Sequence, residues 1–155
     1  MISEKIQKFH DNNNLGHILG TRNEALHPAV SKVFHAVVSD DKKHMIVYMS
    51  APDFTTHEDN LTSNGQVALS SAALPSHEAY QYKGTYTRHW DPDENEVQEI
   101  FGALHRYGEG AIKLGFPPEM LEMFEQLIVV PAKAFEFEVA EIYEQTPKPG
   151  TGNKL

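Results

Sequence analysis

The chain has 155 residues, 40% of them hydrophobic, with 22 acidic and 13 basic side chains and a formal net charge of −9. This length fits one domain, 1–155, with a real core, and the acidic balance excludes nucleic acid as the main partner, because phosphate backbones need Lys and Arg footprints. With no cysteine, disulfides, Cys-ligated zinc, iron–sulfur clusters and thiol catalysis are excluded and a reducing cytoplasmic setting is expected; no membrane span or signal-peptide core is visible either.

A short helix is predicted from Ser3 to Asp11, capped by Ser3, with Ile6 and Phe9 on one side. "LGHILGTRN" reads as a first strand. Ala29 to Ser39, rich in β-branched residues, reads as a second. "DDKK" is a turn, and His44 to Ser50 is a third strand with too little alternation to face water on one side. The segment "APDFTTHEDNLTSN" then reads as a helix led by Thr55 or Thr56, with Glu58 or Asp59 closing a capping box.

Gly65 to Leu74 is a fourth strand. The fifth alternates clearly: Tyr80, Tyr82, Gly84, Tyr86, Arg88 and Trp90 share one face, and polar or cationic residues share the other. A helix follows, with Asp91 as N-cap, Pro92 at the first helical position, Glu94 completing D-x-x-E, and Gly108 and Gly110 at its end. "PPEMLEMFEQ" is a further short helix, so about 91–126 forms a helical insertion. The last strand runs from Leu127 to Gln145. Its parity slips where Glu141 would land on the apolar side, which predicts a β-bulge near Ala140. The Pro/Gly-rich tail, 145–155, reads as a frayed end or as an arm lying on a partner subunit. Strands joined by short turns imply antiparallel pairing. The expected fold is mainly β with flanking helices (α+β): a six-stranded antiparallel barrel.

Two places carry candidate chemistry. Thr55, Thr56 and His57 offer two hydroxyls, backbone N–H groups and an imidazole to a phosphate; the competing reading is a well-made cap already neutralised by its own carboxylates. Lys32, beside Ser31 on an apolar strand, and Lys83 each need solvent or an anion for their ammonium groups, and both could join His57 around one anion if the barrel brings them together. The nine histidines include no H-E-x-x-H, so a protein-ligated catalytic metal is not expected, although haem with one axial His stays open. G-x-S-x-G, Walker A and G-x-G-x-x-G are all absent, which removes the hydrolase and P-loop readings.

The combination of "HPAVS", "HMIVYMS", "NLTSNGQVALS" and "YQYKGTYT" resembles the pyridoxamine 5′-phosphate oxidase-like superfamily of FMN-binding split barrels. The resemblance implies FMN bound at the interface of a homodimer. It places Ser31 and Lys32 by the flavin ring or phosphate, Met49 and Ser50 at the ring, Thr55, Thr56 and His57 in the phosphate-gripping turn with Asn60 just beyond, and Lys83 and Trp90 on the strand facing the interface. His57 stands where many members carry Lys or Arg, and the chain ends without the C-terminal segment of the true vitamin B6 oxidases, which that activity would require. The expectation is an FMN-dependent oxidoreductase acting on an unknown small molecule, with no protein acid or base assigned. A haem- or deazaflavin-binding barrel, or a non-catalytic stress-related module, are the alternatives.

Overall fold

The computed structural model describes residues 1–12, 14–126, 131–149 and 151–155. In chain order the elements are α1 (Glu4–Asn12), β1 (Asn14–Arg22), β2 (Pro28–Val33), β3 (His35–Val38), β4 (His44–Ser50), α2 (Ala51–Ser63), β5 (Gln66–Leu74), β6 (Ala79–Trp90), α3 (Glu94–Lys113), α4 (Glu119–Gln126) and β7 (Ala132–Glu144). The strands form one antiparallel sheet in the order β2-β1-β5-β6-β7-β4-β3. The edges, β2 and β3, are consecutive in the chain. The sheet therefore curls until one continuous segment serves both edges, and the result is a split barrel with helices on its outside.

Seven strands replace the expected six because the segment expected as one strand, Ala29 to Ser39, breaks at Phe34. There the backbone N–H leaves the β1 ladder and donates to the Tyr48 carbonyl at 2.8 Å. The barrel interior holds Leu19, Val47, Met49, Leu69, Tyr80, Tyr82, Phe135 and Phe137, with Ile6 and Phe9 of α1 plugging one mouth. A second apolar layer, Tyr48, Ile100, Leu104 and Ala134, lies between β4, β7 and α3. β4 is thus covered on both faces, as its weak alternation implies.

Several local readings shift. α2 is capped by Ser50, not by Thr55 or Thr56: the Asp53 N–H donates to Ser50 Oγ at 3.1 Å. Pro52, which lacks an N–H, suits the first turn it occupies. The capping box of α3 is Asp93 with Glu96, two residues beyond the Asp91/Glu94 pair. α3 also runs through Gly108 and Gly110 to Lys113 and stops at Gly115, whose φ of +94° is left-handed. Gly108 is a packing residue: a Cβ there would lie 2.5 Å from Leu121 Cδ1 of α4.

β6 departs from simple alternation. A register shift between Tyr86 and Arg88 puts Tyr86 and His89 inward, opposite Phe137 and Phe135, and turns Arg88 and Trp90 outward. The predicted bulge at Ala140 is present, between the pairs Lys83↔Glu141 and Gly84↔Val139. Residues 127–130 of the predicted last strand lie outside the described residues. The described tail is ordered by its own chain: Gly152 donates to the Glu144 carbonyl at 2.8 Å and Leu155 to that of Ile142 at 2.9 Å, folding the segment back along β7.

Candidate cofactor-binding site

Side chains on a strand alternate between faces. Leu19, Val67, Leu69, Tyr80 and Tyr82 fill the barrel, so Gly16, Ile18, Gly20 and Arg22 of β1 point outward, beside Val30 and Lys32 of β2, Ala68, Ser70 and Ala72 of β5, and Gln81 and Lys83 of β6. The outer face is therefore a floor of small residues bordered by cations. Ile18 and Val30 stand on it 54% and 66% exposed, unusual for large apolar side chains.

Two hollows lie along this floor. One, of about 490 Å³, is lined by Gly16, Ile18, Lys32, Ser70, Ala72 and Tyr107. Tyr107 packs against the sheet at Gly16, where a Cβ would meet its ring at 2.9 Å. Lys32 Nζ sits 5.1 Å from the centre of the same ring. Partial burial pulls the Lys32 pKa down, and an anion beside it would oppose that shift. The second hollow, of about 580 Å³, is lined by Gly20, Arg22, Gln66, Ala68, Lys83 and Glu141. Arg22 is braced by Gln66, with Nη2 donating to Oε1 at 2.8 Å, and Lys83 Nζ lies 4.9 Å from the Tyr143 ring centre. From Gly16 to Arg22 the two hollows extend roughly 20 Å along β1. Among the described residues, no cluster of three or more His, Asp or Glu could hold a metal ion, and no helix is long and apolar enough to cross a membrane.

The predicted site residues do not converge. Lys32 and Lys83 both face outward, but on β2 and β6, three strand spacings or roughly 14 Å apart. His57 is on the other side of the sheet and fully buried. The three groups therefore cannot share one anion.

His57 instead belongs to a buried polar chain. Asn60 Nδ2 donates to Thr21 Oγ1 at 2.9 Å, Thr21 Oγ1 lies 2.8 Å from His57 Nδ1, and His57 Nε2 lies 2.9 Å from Ser31 Oγ. A neutral ring donates through one nitrogen and accepts through the other, and the hydroxyls of Thr21 and Ser31 can complement either tautomer. Burial lowers the His57 pKa, against a weaker opposing pull from Asp53, and so keeps the ring neutral. The sequence brought Ser31, His57 and Asn60 forward but missed Thr21. The signal was present: Leu15, His17, Leu19 and Thr21 share one face of β1, so the polar members of that row are buried too.

The remaining residues lie elsewhere. Met49 is wholly in the core. Ser50 is occupied by Asp53, accepting from its N–H and donating to Oδ2 at 2.6 Å, so a carboxylate already faces the positive end of α2. Thr55 and Thr56 are exposed one turn later, and Thr55 Oγ1 donates to the Ala51 carbonyl at 3.1 Å. Trp90 Nε1 donates to Glu96 at 3.1 Å, and the Arg88 guanidinium lies 5.0 Å from the Trp90 ring centre.

No family model matches the chain, and no curated protein matches it in sequence. Solved structures do match. A candidate pyridoxamine 5′-phosphate oxidase from Lactobacillus delbrueckii superposes with a TM-score of 0.54 at 16% identity, over 92% of this chain and 93% of that one. The chain has the pyridoxamine 5′-phosphate oxidase-like split-barrel fold. An FMN-binding protein from Syntrophomonas wolfei shares this oxidase-like barrel at a TM-score of 0.52 and 14% identity, over 91% of this chain and 84% of that one. HutZ, the heme storage protein of Vibrio cholerae, shares it at 0.51 and 15%, over 94% and 97%.

Proposed function

We propose that this chain is an FMN-binding oxidoreductase that works as a homodimer in the cytoplasm, with the flavin on the outer face of β1, β2, β5 and β6. The observation that carries the reading is the bare floor of Gly16, Gly20, Ala68, Ser70 and Ala72, edged by three cations in a chain of net charge −9. A flat ring can lie on the Gly, Ala and Ser stretches of this floor, with the exposed Ile18 side chain packed against it. Tyr107 would cover the ring end, Lys32 would offer charge to its polar edge, and Arg22 with Lys83 would hold the phosphate end. A group that is flat and apolar at one end and anionic at the other fits this donor set. Fold neighbours that include an FMN-binding protein support the same choice.

A second copy of the chain would close the site. Ile18 and Val30 stand exposed on the same face, and covering them would shield the ring from water. The cofactor supplies hydride or electron transfer when bound. The chain contributes position, charge and water exclusion, and no side chain is assigned as acid or base.

Titration of the protein with FMN, followed by quenching of flavin fluorescence, tests this. Lys32→Glu and Lys83→Glu should each weaken binding about tenfold or more, because hydrogen bonds to charged groups contribute roughly 1.5–3 kcal/mol. Unchanged affinity in both variants would refute the placement, and no binding by the wild type would refute FMN itself.

A further inference from the structure

A second polar cleft opens beside α3, between α1 and β3. Two overlapping hollows of about 310 and 490 Å³ share His10, Asp11, His35 and Arg106; Asn14 lines the first and Glu99 the second. The cleft is separate from the proposed flavin floor, because Tyr107 faces that floor while its chain neighbour Arg106 faces this cleft.

Two observations mark the cleft as a place for a ligand. Arg106 makes no hydrogen bond or ion pair among the described residues, and its guanidinium lies over Gly102, with Nη1 3.2 Å from where a Cβ would be. Side chains on a helix lean toward its N-terminus, and the missing side chain at Gly102 lets this one lie down into the cleft. His35 likewise keeps both ring nitrogens free of hydrogen bonds among the described residues, with its ring stacked on Tyr48 at 6.1 Å. Behind it, His17 packs 6.3 Å from His35 and 6.1 Å from His10, centre to centre, with Nδ1 on Ser71 Oγ at 2.8 Å. Its Nε2 is buried with no partner among the described residues. His17 lines the floor hollow and not this cleft, so its unpartnered atom stays outside the case for a ligand here.

The charges define the ligand. Arg106 provides one cation, and Asp11 and Glu99 provide two anions around the same space. A simple anion would meet the two carboxylates, and a simple cation would meet the guanidinium. A molecule carrying both charges satisfies both. His10 does not add charge, since Nδ1–H donates to the Ala36 carbonyl at 3.3 Å and Nε2 accepts from Tyr82 at 2.9 Å. His35 and Asn14 are left for neutral hydrogen bonds. We infer that this cleft binds a small zwitterionic α-amino acid, its carboxylate on Arg106 and its ammonium between Asp11 and Glu99.

The test is a thermal-shift panel of the common L-α-amino acids on the full chain. Calorimetry follows on each binder and on its decarboxylated and deaminated counterparts. At least one amino acid should bind, with both counterparts weaker by about tenfold or more. Arg106→Met should weaken it by about ten- to a hundredfold while FMN titration stays unchanged, and Glu99→Gln should weaken it less. The ring NMR signals of His35, assigned with His35→Gln, should move on binding. No binder in the panel, equal binding of the deaminated acid, or binding indifferent to Arg106→Met with a normal melting curve would each overturn the inference.

Discussion

Replacing Thr21 by Val should destabilise the protein far more than the loss of one hydroxyl suggests. Thr21 is 6% exposed, His57 0% and Asn60 8%. The change keeps the shape but strips the shared partner from two buried nitrogens, His57 Nδ1 and Asn60 Nδ2. Each buried group left unsatisfied costs about 1–3 kcal/mol, and the added methyl returns about 0.8 kcal/mol. The net loss should be roughly 1–5 kcal/mol. For a chain of this size that lowers Tm by roughly 3–15 °C. Urea titration should show a lower midpoint with unchanged slope, since the surface exposed on unfolding is the same. Thr21→Ser keeps the hydroxyl and should cost only about 1 kcal/mol, for its lost methyl. If Thr21→Val melts with the wild type, or Thr21→Ser is equally harmful, the polar chain does not support the corner between β1, β2 and α2.

Further outcomes follow from the same contacts. Stability should fall as pH drops from about 6.5 to about 4 and then level off as far as these rings are concerned. Burial holds the His10 and His35 pKa values at about 4, so the unfolded chain takes up protons first; His10→Gln should flatten the slope, and rising stability over this window would contradict the assignment. Gly84→Ala should abolish or severely impair folding, because its Cβ would overlap the Glu138 carbonyl beside the Ala140 bulge; a normal urea midpoint would show that the strands are not so closely apposed. Asp93→Ala should cost about 1 kcal/mol by removing the cap of α3, while Asp91→Ala, which loses only an exposed pair to Lys133, should cost less than about 0.5 kcal/mol.

Much of the fold was legible because strand periodicity is local. The aromatic alternation of Tyr80 and Tyr82, the two-sided burial of β4 and the parity slip at Glu141 all depend on neighbours two residues apart. The misreadings came where two local signals competed. Asp91-Pro92 and Asp93 are both good helix starts, and only the packing of Trp90 and Tyr48 on Glu96 selects the second. Gly108 and Gly110 look like helix stops, but Leu121 of α4 leaves no room for a Cβ at Gly108, and Asn14 at the start of β1 packs closely on Gly110. The site was less legible because it is assembled across strands. Nothing near Lys32 in sequence indicates that Lys83 lies three strands away, that Tyr107 folds over Gly16, or that His57 turns inward onto Thr21.

The most direct test of the central claim is the absorbance spectrum of the purified protein, with mass analysis of whatever it releases on denaturation. The account predicts a yellow protein with flavin bands that releases FMN. A Soret band with released haem, or a colourless protein that takes up no FMN when supplied with it, would contradict it.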